Sequence, residues 1–443
     1  MASLGAVVAG SNRLVRQLWL TALLLVPACA SPTEYLVNTT SDFSDTNLGD
    51  HTCAGRANLC SLRAAIEETN THQAGDAVLV VVPAGTYDLN GELSLTHDDV
   101  TLRGDGRDTT IIRQTQLGQR LFTITTSGNI WIGRVTLRDG NITGSTDRGG
   151  AIRIDGTGSH SLTLSECRIT NNRAGFRGGG VYAEGANGSL NILNCVVQDN
   201  DSTGAGCITG GGQSGGGGIL VQGPRLTLIR SEVRDNCGSN GGGILIIGGL
   251  NHLIVQSTIA GNGAATRAGG LMIVDAGGRI EDSTIAENTG PEAGGVYISG
   301  GTTIEITSVT IVGNTTFNTP GDGPTAAGGI NSIPGAQVLL GNTVIAANTG
   351  DAQDCVGELF STGGNFVGTL ENECEFSASG SDKLDAGSPG LGGLMSGIGP
   401  TRYMLPNANS PLVNAGASGC GPTDQRGQPA PVGACDIGAV ERP

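Results

Sequence analysis

A six-residue motif recurs in this chain at a spacing that restricts what the chain can fold into. "STIAGN" begins at residue 257 and "STIAEN" begins at residue 283, which is 26 residues later. Related segments that end in asparagine occupy 167–172, 195–200, 231–236, 309–314 and 343–348. Glycine runs lie between these segments, and a short apolar stretch follows each run. Self-similarity at such a period is typical of solenoids, in which each unit stacks on the next.

Each unit contains three short strands, because apolar and polar residues alternate along it with period 2. A helical solenoid would need a 3.6-residue apolar period over about ten positions, and no unit shows one. A β-propeller would need about 40 residues for each blade, and these units are too short. The sequence therefore predicts an all-β fold, a right-handed single-stranded parallel β-helix, with one coil for each unit.

Stacking of the coils places equivalent residues in ladders about 4.8 Å apart. The recurring asparagines are expected to form one such ladder, in which each side-chain amide bonds the next. Cys167 and Cys195 lie five positions before the asparagines of their units, where other units carry serine. Adjacent coils would place the two cysteine Cα atoms within the range that a disulfide accepts.

The N-terminus has the features of an export signal. Arg13 and Arg16 precede an apolar run at 18–26 that is too short to span a bilayer. Cys29 follows in "VPACAS", which resembles a bacterial lipobox, so we expect residues 1–28 to be a lipoprotein signal and Cys29 to carry the lipid. Cleavage without lipidation is the alternative. Either way the protein is expected outside the cytoplasm, as an outer-membrane or cell-surface lipoprotein or as a secreted protein.

The cysteine count agrees with a lipid on Cys29. The chain contains 11 cysteines, and setting Cys29 aside leaves ten. Export permits disulfides, and we expect cysteines that are neighbours along the chain to pair. The expected pairs are Cys53/Cys60, Cys167/Cys195, Cys207/Cys237, Cys355/Cys374 and Cys420/Cys435.

Three stretches resemble one group of bacterial secreted β-helix proteins. "CSLRAAIEETN" at 60–70 resembles the Cys-Ser-Leu-Arg-Glu-Ala motif that opens such proteins, although Ala64 replaces the glutamate. "VTLRGDGRDTTII" at 100–112 is similar to the opening coil of pectate-lyase-like proteins. The segment at 410–441 is similar to the choice-of-anchor Q domain. The resemblance implies a β-helix architecture and a location outside the cytoplasm. It implies no established catalytic residues.

The chain divides into four segments on these grounds. Residues 1–28 form the signal, and residues 29–75 form an N-terminal cap in which 62–70 is a short capping helix. The coils occupy 76–350. Residues 351–443 form a loop-rich, choice-of-anchor Q-like C-terminal region.

The charge balance argues against nucleic acid as a partner. The formal net charge is −16, Lys383 is the only lysine, and no basic stripe is present. Such a surface repels phosphate backbones and anionic lipid headgroups. We therefore expect no nucleic-acid binding, membrane contact through a lipid anchor only, and a monomer.

One pair of acids suggests a catalytic alternative. If the apolar residues of their strands point inward, Asp155 and Glu184 point outward on adjacent coils, with carboxyl groups about 5 Å apart. That separation is near the one found in retaining glycosidases, and Arg153 lies beside the pair. A lyase would need a base, and the coils offer arginine alone, which rarely deprotonates. The catalytic candidates of a glycoside hydrolase or polysaccharide lyase are therefore Asp155, Glu184 and Arg153.

Two further sets of residues are candidates for binding. Alternation along the strands after the glycine runs predicts an outward stripe of Tyr182, Leu220, Leu245, Met272 and Tyr297. Asp42, Asp45 and Asp50 place several oxygens close together, as a calcium loop does, and a solvated acidic loop is the alternative. The five histidines are spread along the chain without metal-ligand spacing.

These patterns are best explained by an exported, lipid-anchored β-helix that acts at the cell surface as a binding or structural module. A polysaccharide or a surface protein is the expected partner of the outward stripe. The alternatives are a polysaccharide-degrading enzyme on the same scaffold and a pure spacer that recognises nothing. Calcium is the one cofactor that the sequence suggests.

Overall fold

The chain forms a right-handed parallel β-helix. The computed structural model describes residues 31–155, 158–203, 207, 215–317, 326–371, 373–417, 421–431 and 434–443. Strands pair in parallel with their equivalents in the neighbouring coils, so the fold predicted from the repeat is confirmed. The proposed signal, 1–28, and Cys29 lie outside the described residues. None of the described helices is long and apolar enough to cross a bilayer.

Three ribbons of strands form the faces of the β-helix. The first face contains Leu93–Leu95, Phe122–Ile124, Ile152–Asp155, Val181–Glu184, Ile219–Gln222, Ile244–Ile247, Leu271–Val274, Val296–Ser299 and Ile330–Ser332. The second face contains Thr33–Leu36, Val78–Val82, Val100–Gly104, Asn129–Gly133, Ser161–Ser165, Ser189–Leu193, Arg225–Ile229, His252–Val255, Gln337–Gly341 and Cys374–Ser377. The third face contains Gly85–Leu89, Thr110–Gln114, Thr136–Arg138, Arg168–Thr170, Val196–Gln198, Glu232–Arg234, Thr258–Ala260, Val344–Ala346 and Phe366–Val367.

Some strands continue around a corner from one face to the next. Gly278–Ala286 and Thr303–Val312 run from the second face into the third, and Cys355–Gly363 runs from the first into the second. Two-residue strands form a further corner ribbon: Asn141–Ile142, Arg173–Ala174, Cys237–Gly238, Gly263–Ala264, Thr289–Gly290 and Thr315–Thr316.

Local backbone geometry explains why the sequence bends into coils of this size. The corner between the second and third faces has a residue with positive φ in successive coils: Asn194 at 54°, Arg230 at 49°, Gln256 at 50° and Asp282 at 45°. Glycine is required before the first face, where a Cβ on Gly217 would lie 2.3 Å from the carbonyl oxygen of Gly242 in the next coil. The glycine runs therefore mark the place where coils approach too closely for side chains.

The predicted asparagine ladder is present inside the coils. Asn262 shows the pattern, because its Nδ2 donates to Asn288 Oδ1 at 2.9 Å and its backbone N–H donates to the same oxygen at 3.0 Å. The buried rungs are Asn172, Asn200, Asn236, Asn262, Asn288, Asn314 and Asn348. The last rung is Asp354, whose Oδ1 accepts both bonds from Asn348. An acceptor-only side chain is suited to that place, since no further amide follows.

Three of the predicted disulfides are present. They are Cys53–Cys60, Cys207–Cys237 and Cys355–Cys374. Cys420 lies outside the described residues, so its pairing with Cys435 stays a prediction. Disulfides of this number agree with folding in an oxidising compartment.

The predicted Cys167/Cys195 disulfide is wrong, because both residues are free, buried thiols. The two lie in neighbouring coils, as the spacing indicated, but their side chains serve as rungs of a second ladder. The backbone N–H of Cys167 donates to the Sγ of Cys195 at 3.2 Å. Ser231 and Ser257 accept the same bond in the next two coils, from Cys195 and Ser231 respectively.

Cys167→Ser should therefore leave stability almost unchanged, because serine fills the same rung elsewhere. We expect the free energy of unfolding to change by less than about 1 kcal/mol. Loss of the Cys53–Cys60 disulfide through Cys53→Ser serves as the contrast and should cost about 2–3 kcal/mol. Thiol titration of protein without Cys29 provides a second readout. It should find no reactive thiol in the native state and a pair of thiols after denaturation; a fully oxidised chain would contradict the ladder.

The N-terminal cap covers the first coil with a short helix. A 3-10 turn spans Arg56–Asn58 and the helix spans Leu62–Thr69, as the sequence predicted. Ser61 caps the helix, because its Oγ accepts from the N–H of Ala64 at 3.0 Å. Ile66 packs into the main core, and Arg63 donates to the carbonyl oxygen of Glu92 at 3.0 Å. The helix is thus held to the first coil by apolar burial and by one half-buried arginine.

The chain after Ser377 packs along the outer side of the third face. Gln425 is fully buried there; its Nε2 donates to Thr258 Oγ1 at 2.9 Å and its Oε1 accepts from Thr284 Oγ1 at 2.6 Å. Thr310 Oγ1 accepts from the backbone N–H of Ala439 at 3.0 Å. The apolar part of this interface consists of Ala286, Val312, Val344, Ala346, Phe366, Met404, Leu412 and Ile437.

This interface explains why "STIA" recurs almost unchanged. Ser257 and Ile259 face the interior of the coils, whereas Thr258 and Ala260 face the C-terminal region, and all of these are buried. A strand that is buried on both sides accepts few residue types. Arg234 occupies the position of Ala260 one coil earlier and is half-exposed. Small outward residues thus mark the coils that the C-terminal region covers.

Candidate functional site

The first face presents two rows of outward side chains, with one member in each coil. The covered row consists of Arg153, Tyr182, Leu220, Leu245, Met272 and Tyr297. The groove row lies two residues further along each strand and consists of Asp155, Glu184, Gln222, Ile247, Val274 and Ser299. A wall runs beside them, formed by the residue four positions before each strand: Arg148, Arg177, Gly215, Asn240, Arg267 and Glu292.

The predicted ligand-binding stripe is not exposed. Tyr182, Leu220, Leu245, Met272 and Tyr297 point away from the main core, as expected, but they form a second buried cluster with exposures of 0–6%. The corner segments that precede the glycines turn back over them, and the guanidinium groups of the wall close the cover. Arg148 lies 5.1 Å from the ring centre of Tyr182 and Arg267 lies 5.4 Å from that of Tyr297. Cation–π contacts of this kind stabilise the cover.

The groove row is the outward surface that remains accessible on this face. All six of its members are half-exposed, from Asp155 at one end to Ser299 at the other. Period-2 alternation already placed Asp155 and Glu184 of this row outward. No feature of the strands themselves indicated which of the two rows the corner segments would cover.

The catalytic candidates lie where the register predicted them, but their contacts do not resemble those of an acid pair. Asp155 and Glu184 are register partners on adjacent coils. Arg153 Nη2 contacts Asp155 Oδ2 at 2.5 Å, and Arg148 Nη1 contacts Glu184 Oε2 at 2.7 Å. Two carboxyl groups that share a proton must face one another, whereas here each faces an arginine. Each carboxylate of the candidate pair is thus held by an arginine in this structure.

Tyr182 fixes the position of Glu184 from below. Its hydroxyl donates to Glu184 Oε2 at 2.7 Å and accepts from Arg148 Nη1 at 2.8 Å. Burial raises the pKa of Tyr182, and the hydrogen bond to Glu184 raises it further. The hydroxyl therefore stays protonated at any physiological pH, and this tyrosine acts as a structural donor.

A cavity of about 440 Å³ opens in the middle of the groove. Its floor is apolar and consists of Leu245, Ile247, Met272 and Val274. Its rim is polar and consists of Arg177, Asn240, Thr266, Arg267 and Ser299. An apolar floor with a few polar groups around it is the usual composition of a small-ligand site.

The predicted calcium residues have other partners. Asp42 accepts from Nε and Nη2 of Arg63, both at 2.9 Å, so it forms a two-bond salt bridge. Asp45 accepts from the backbone N–H of Ala54 at 2.8 Å, and Asp50 likewise accepts from backbone N–H within the loop. These contacts of the carboxylates shape the cap, and calcium binding there stays a prediction. No group of three or more His, Cys, Asp or Glu suited to a metal occurs in the described parts of the chain.

Three histidines that are far apart in sequence meet in the N-terminal cap. His51 Nδ1 lies 3.5 Å from His72 Nε2, which is also 2.8 Å from the hydroxyl of Tyr35, and the ring of His97 lies 6.0 Å from that of His72 at a tilt of 54°. Burial lowers the pKa of His72, and His51 and His97 lower it further. Burial, followed by Glu68, raises the pKa of Tyr35 to about 12. Sequence spacing gave no sign of this cluster, because it assembles from separate loops.

Comparison with known proteins supports the fold class. Residues 208–365 match a family described as a right-handed β-helix region, which agrees with the coils described above. None of the curated proteins matches the sequence. Together with the parallel coils of the structure, this match makes the protein a right-handed parallel β-helix protein.

Several solved structures resemble the chain. The pectate lyase Pel9A is 14% identical, with 93% of this chain and 97% of that chain covered and a TM-score of 0.49. The A-module of the Azotobacter vinelandii mannuronan C-5 epimerase AlgE4 is 16% identical, with 79% and 97% covered and a TM-score of 0.33. The catalytic domain of a GH87 α-1,3-glucanase is 13% identical, with 82% and 68% covered and a TM-score of 0.27. At these identities the likeness concerns the fold alone.

Proposed function

We propose that this protein is an exported, lipid-anchored surface module that binds an extended polysaccharide along the groove of its first face. The observation that carries the proposal is the groove row itself. Its members, from Asp155 to Ser299, are half-exposed and in register over successive coils. Six rungs at about 4.8 Å give a surface about 24 Å long, which suits a chain-like ligand better than a compact one.

The chemistry of the groove suits a sugar chain. Apolar floor residues such as Ile247 and Val274 can contact the C–H faces of sugar rings, while the rim offers amide, hydroxyl and guanidinium groups. The lipid anchor and the export signal rest on residues 1–29 of the sequence. The three disulfides support a location outside the cytoplasm.

Removal of the apolar floor should weaken binding. The double variant Ile247→Asn/Val274→Asn is expected to lose at least about tenfold in polysaccharide affinity, which corresponds to about 1.4 kcal/mol. Retention in affinity gels that contain plant, algal or bacterial polysaccharides measures the effect. Leu193→Asn is the matched control, because it makes the same exchange at a half-exposed position of the second face.

The same gels distinguish the other functions. Retention by none of the polysaccharides contradicts the proposal and favours a protein partner or a spacer role. Equal loss in the floor variant and in Leu193→Asn places the binding elsewhere. Shortening of the polysaccharide that disappears in Asp155→Asn/Glu184→Gln would establish the enzyme alternative in place of the binding module.

A further inference from the structure

We propose that the ligand of the groove carries negatively charged groups, carboxylate or sulfate, and that Arg177 binds one of them at the rim of the cavity with Arg267 as a second anchor. This inference rests on the proposed function and specifies the class of polysaccharide. It also reverses the expectation from net charge, because the chain as a whole is strongly acidic.

The contacts of Arg177 leave its guanidinium group without a negatively charged partner among the described residues. Its Nη1 donates to Gln222 Oε1 at 3.1 Å, and its guanidinium lies 4.7 Å from the ring centre of Phe176. It forms no ion pair with any described residue, whereas Arg148, one coil earlier in the same wall, contacts Glu184 at 2.7 Å. A half-buried guanidinium without a carboxylate loses hydration and gains no charge partner, so an incoming anion is favoured there.

Arg267 takes the equivalent position three coils further along the wall, about 14 Å away. Its Nη1 donates to the hydroxyl of Tyr297 at 2.9 Å, and its contact with Glu292 is longer, at 3.7 Å. The hydroxyl contact fixes the guanidinium at the rim and leaves donors for a ligand. Two cationic groups with this separation suit a polysaccharide that carries negative charges on regularly spaced sugar residues.

Asn240 lies between the two arginines and supplies a complementary acceptor. Its Oδ1 is buried, and no described group donates to it. Buried acceptors without a partner are uncommon, and rotation of the Asn240 side chain into the cavity that it lines would bring this oxygen to a sugar hydroxyl. The wall thus offers cations for charged groups and an acceptor for hydroxyl groups, which is the combination that an acidic sugar needs.

The negative charge of the rest of the surface restricts where a polyanion can bind. The net charge of −16 repels polyanions from the protein in general, so tight binding of one requires a local cationic site. Two acids contact the arginines of the wall: Glu184, which Arg148 and Tyr182 hold, and Glu292, the wall residue beside Arg267. Because the attraction would come from the arginines of the wall, we expect binding to weaken as the salt concentration rises. The net charge of the protein is negative and does not contribute to this attraction.

Matched pairs of polymers test the proposal with the exported full-length protein. Polygalacturonate and its methyl-esterified form share one backbone and differ in carboxylate charge, and dextran sulfate and dextran differ in sulfate. The charged member of at least one pair should bind about tenfold or more tightly than its neutral partner at low salt. The pair that shows this preference identifies carboxylate or sulfate as the ligand group.

Arginine variants assign the effect to the wall. Arg177→Gln/Arg267→Gln should reduce the affinity for the charged polymer to that of the neutral one, and Arg177→Lys should retain part of it, because lysine keeps the charge without the planar fork. Arg279→Gln, an exposed arginine of the second face, is the matched control and should have no effect.

The outcomes separate this inference from the proposed function. Equal binding of charged and neutral partners, or a charge preference that survives in Arg177→Gln/Arg267→Gln, would overturn the anionic ligand while the polysaccharide groove stands. If neither member of any pair binds and the wider set of polysaccharides also fails, both proposals fall. Thermal unfolding of each variant confirms that it is folded.

Discussion

Asn262→Ala is expected to lower the free energy of unfolding by about 3–5 kcal/mol, because it leaves several buried groups without partners at once. Oδ1 of Asn262 accepts from both the backbone N–H and the Nδ2 of Asn236, each at 3.0 Å. Its Nδ2 donates to the carbonyl oxygen of Val233 and to Asn288 Oδ1, both at 2.9 Å. Alanine removes all of these bonds in a site from which water is excluded.

Urea unfolding followed by far-UV circular dichroism measures the loss, and Asn191→Ala is the matched control. Asn191 lies on the outer side of the second face, and its amide contacts are long, at 3.4 Å. Its removal should cost less than about 1 kcal/mol. If the two variants lose similar stability, the ladder contributes far less than its bonds indicate. Because a solenoid is stabilised by contacts between neighbouring coils, the loss in Asn262→Ala should concentrate in the coils around it and be visible in hydrogen exchange.

The architecture was predictable because it follows from local, repeated requirements. A 26-residue period, alternation along each strand and an inward asparagine in successive coils from Asn172 onward are enough to place Asn262 over Asn288 and Ile259 over Ile285. Glycine before the first face is equally local, since close approach of two backbones forbids a side chain there. These features do not depend on the conformation of the loops between the strands.

The site was less predictable because it depends on segments that do not repeat. Leu245 and Ile247 are both apolar, both outward and both on the floor of the cavity, yet Leu245 is buried and Ile247 is half-exposed. The difference comes from the corner segment that lies over Leu245, whose path the strand pattern does not encode. The one local signal was the wall, where arginine or asparagine stands four residues before several strands, as Arg177 does before Val181.

Cys167 shows how a correct register can still lead to a wrong conclusion. Its spacing to Cys195 placed the two residues in neighbouring coils, and the structure agrees. Serines at the equivalent position of other coils indicated a hydrogen-bonded ladder, which is the role that the thiols take. The presence of two cysteines suggested a disulfide, whereas their position in the coil favoured a hydrogen-bonded ladder.

The attachment of the C-terminal region should weaken as the pH rises, because buried acids lie at its interface with the third face. Asp282 lies at the corner of its coil beneath Gly421. Burial, followed by the neighbouring acids Glu281, Asp424 and Glu441, raises its pKa to about 7. Burial also raises the pKa of Glu441 to about 7, with Asp436 and Asp424 adding to the shift and Arg426 opposing it.

The sign of the pH dependence follows from these directions. Both carboxyl groups titrate near pH 4 in the unfolded chain and near 7 in the native state, so the native state binds more protons between those values. Their stabilising effect is complete below about pH 4 and is lost as the pH rises to about 7. Each group should therefore lower the free energy of unfolding by about 1–2 kcal/mol over this interval, after allowance for solvent screening.

Asp282→Asn isolates one of the two groups, because an amide needs no proton to remain neutral in the interface. At pH 8 we expect the variant to be more stable than the parent by about 1–2 kcal/mol, and at pH 4 we expect the two to be equal within about 0.5 kcal/mol. Differential scanning calorimetry across this range measures the difference. Glu305→Gln removes one acid from the exposed side of the second face and should produce no such pH-dependent gain. A gain for Asp282→Asn that is the same at both pH values would mean that the carboxyl group titrates alike in the native and unfolded states, so that the interface does not raise its pKa.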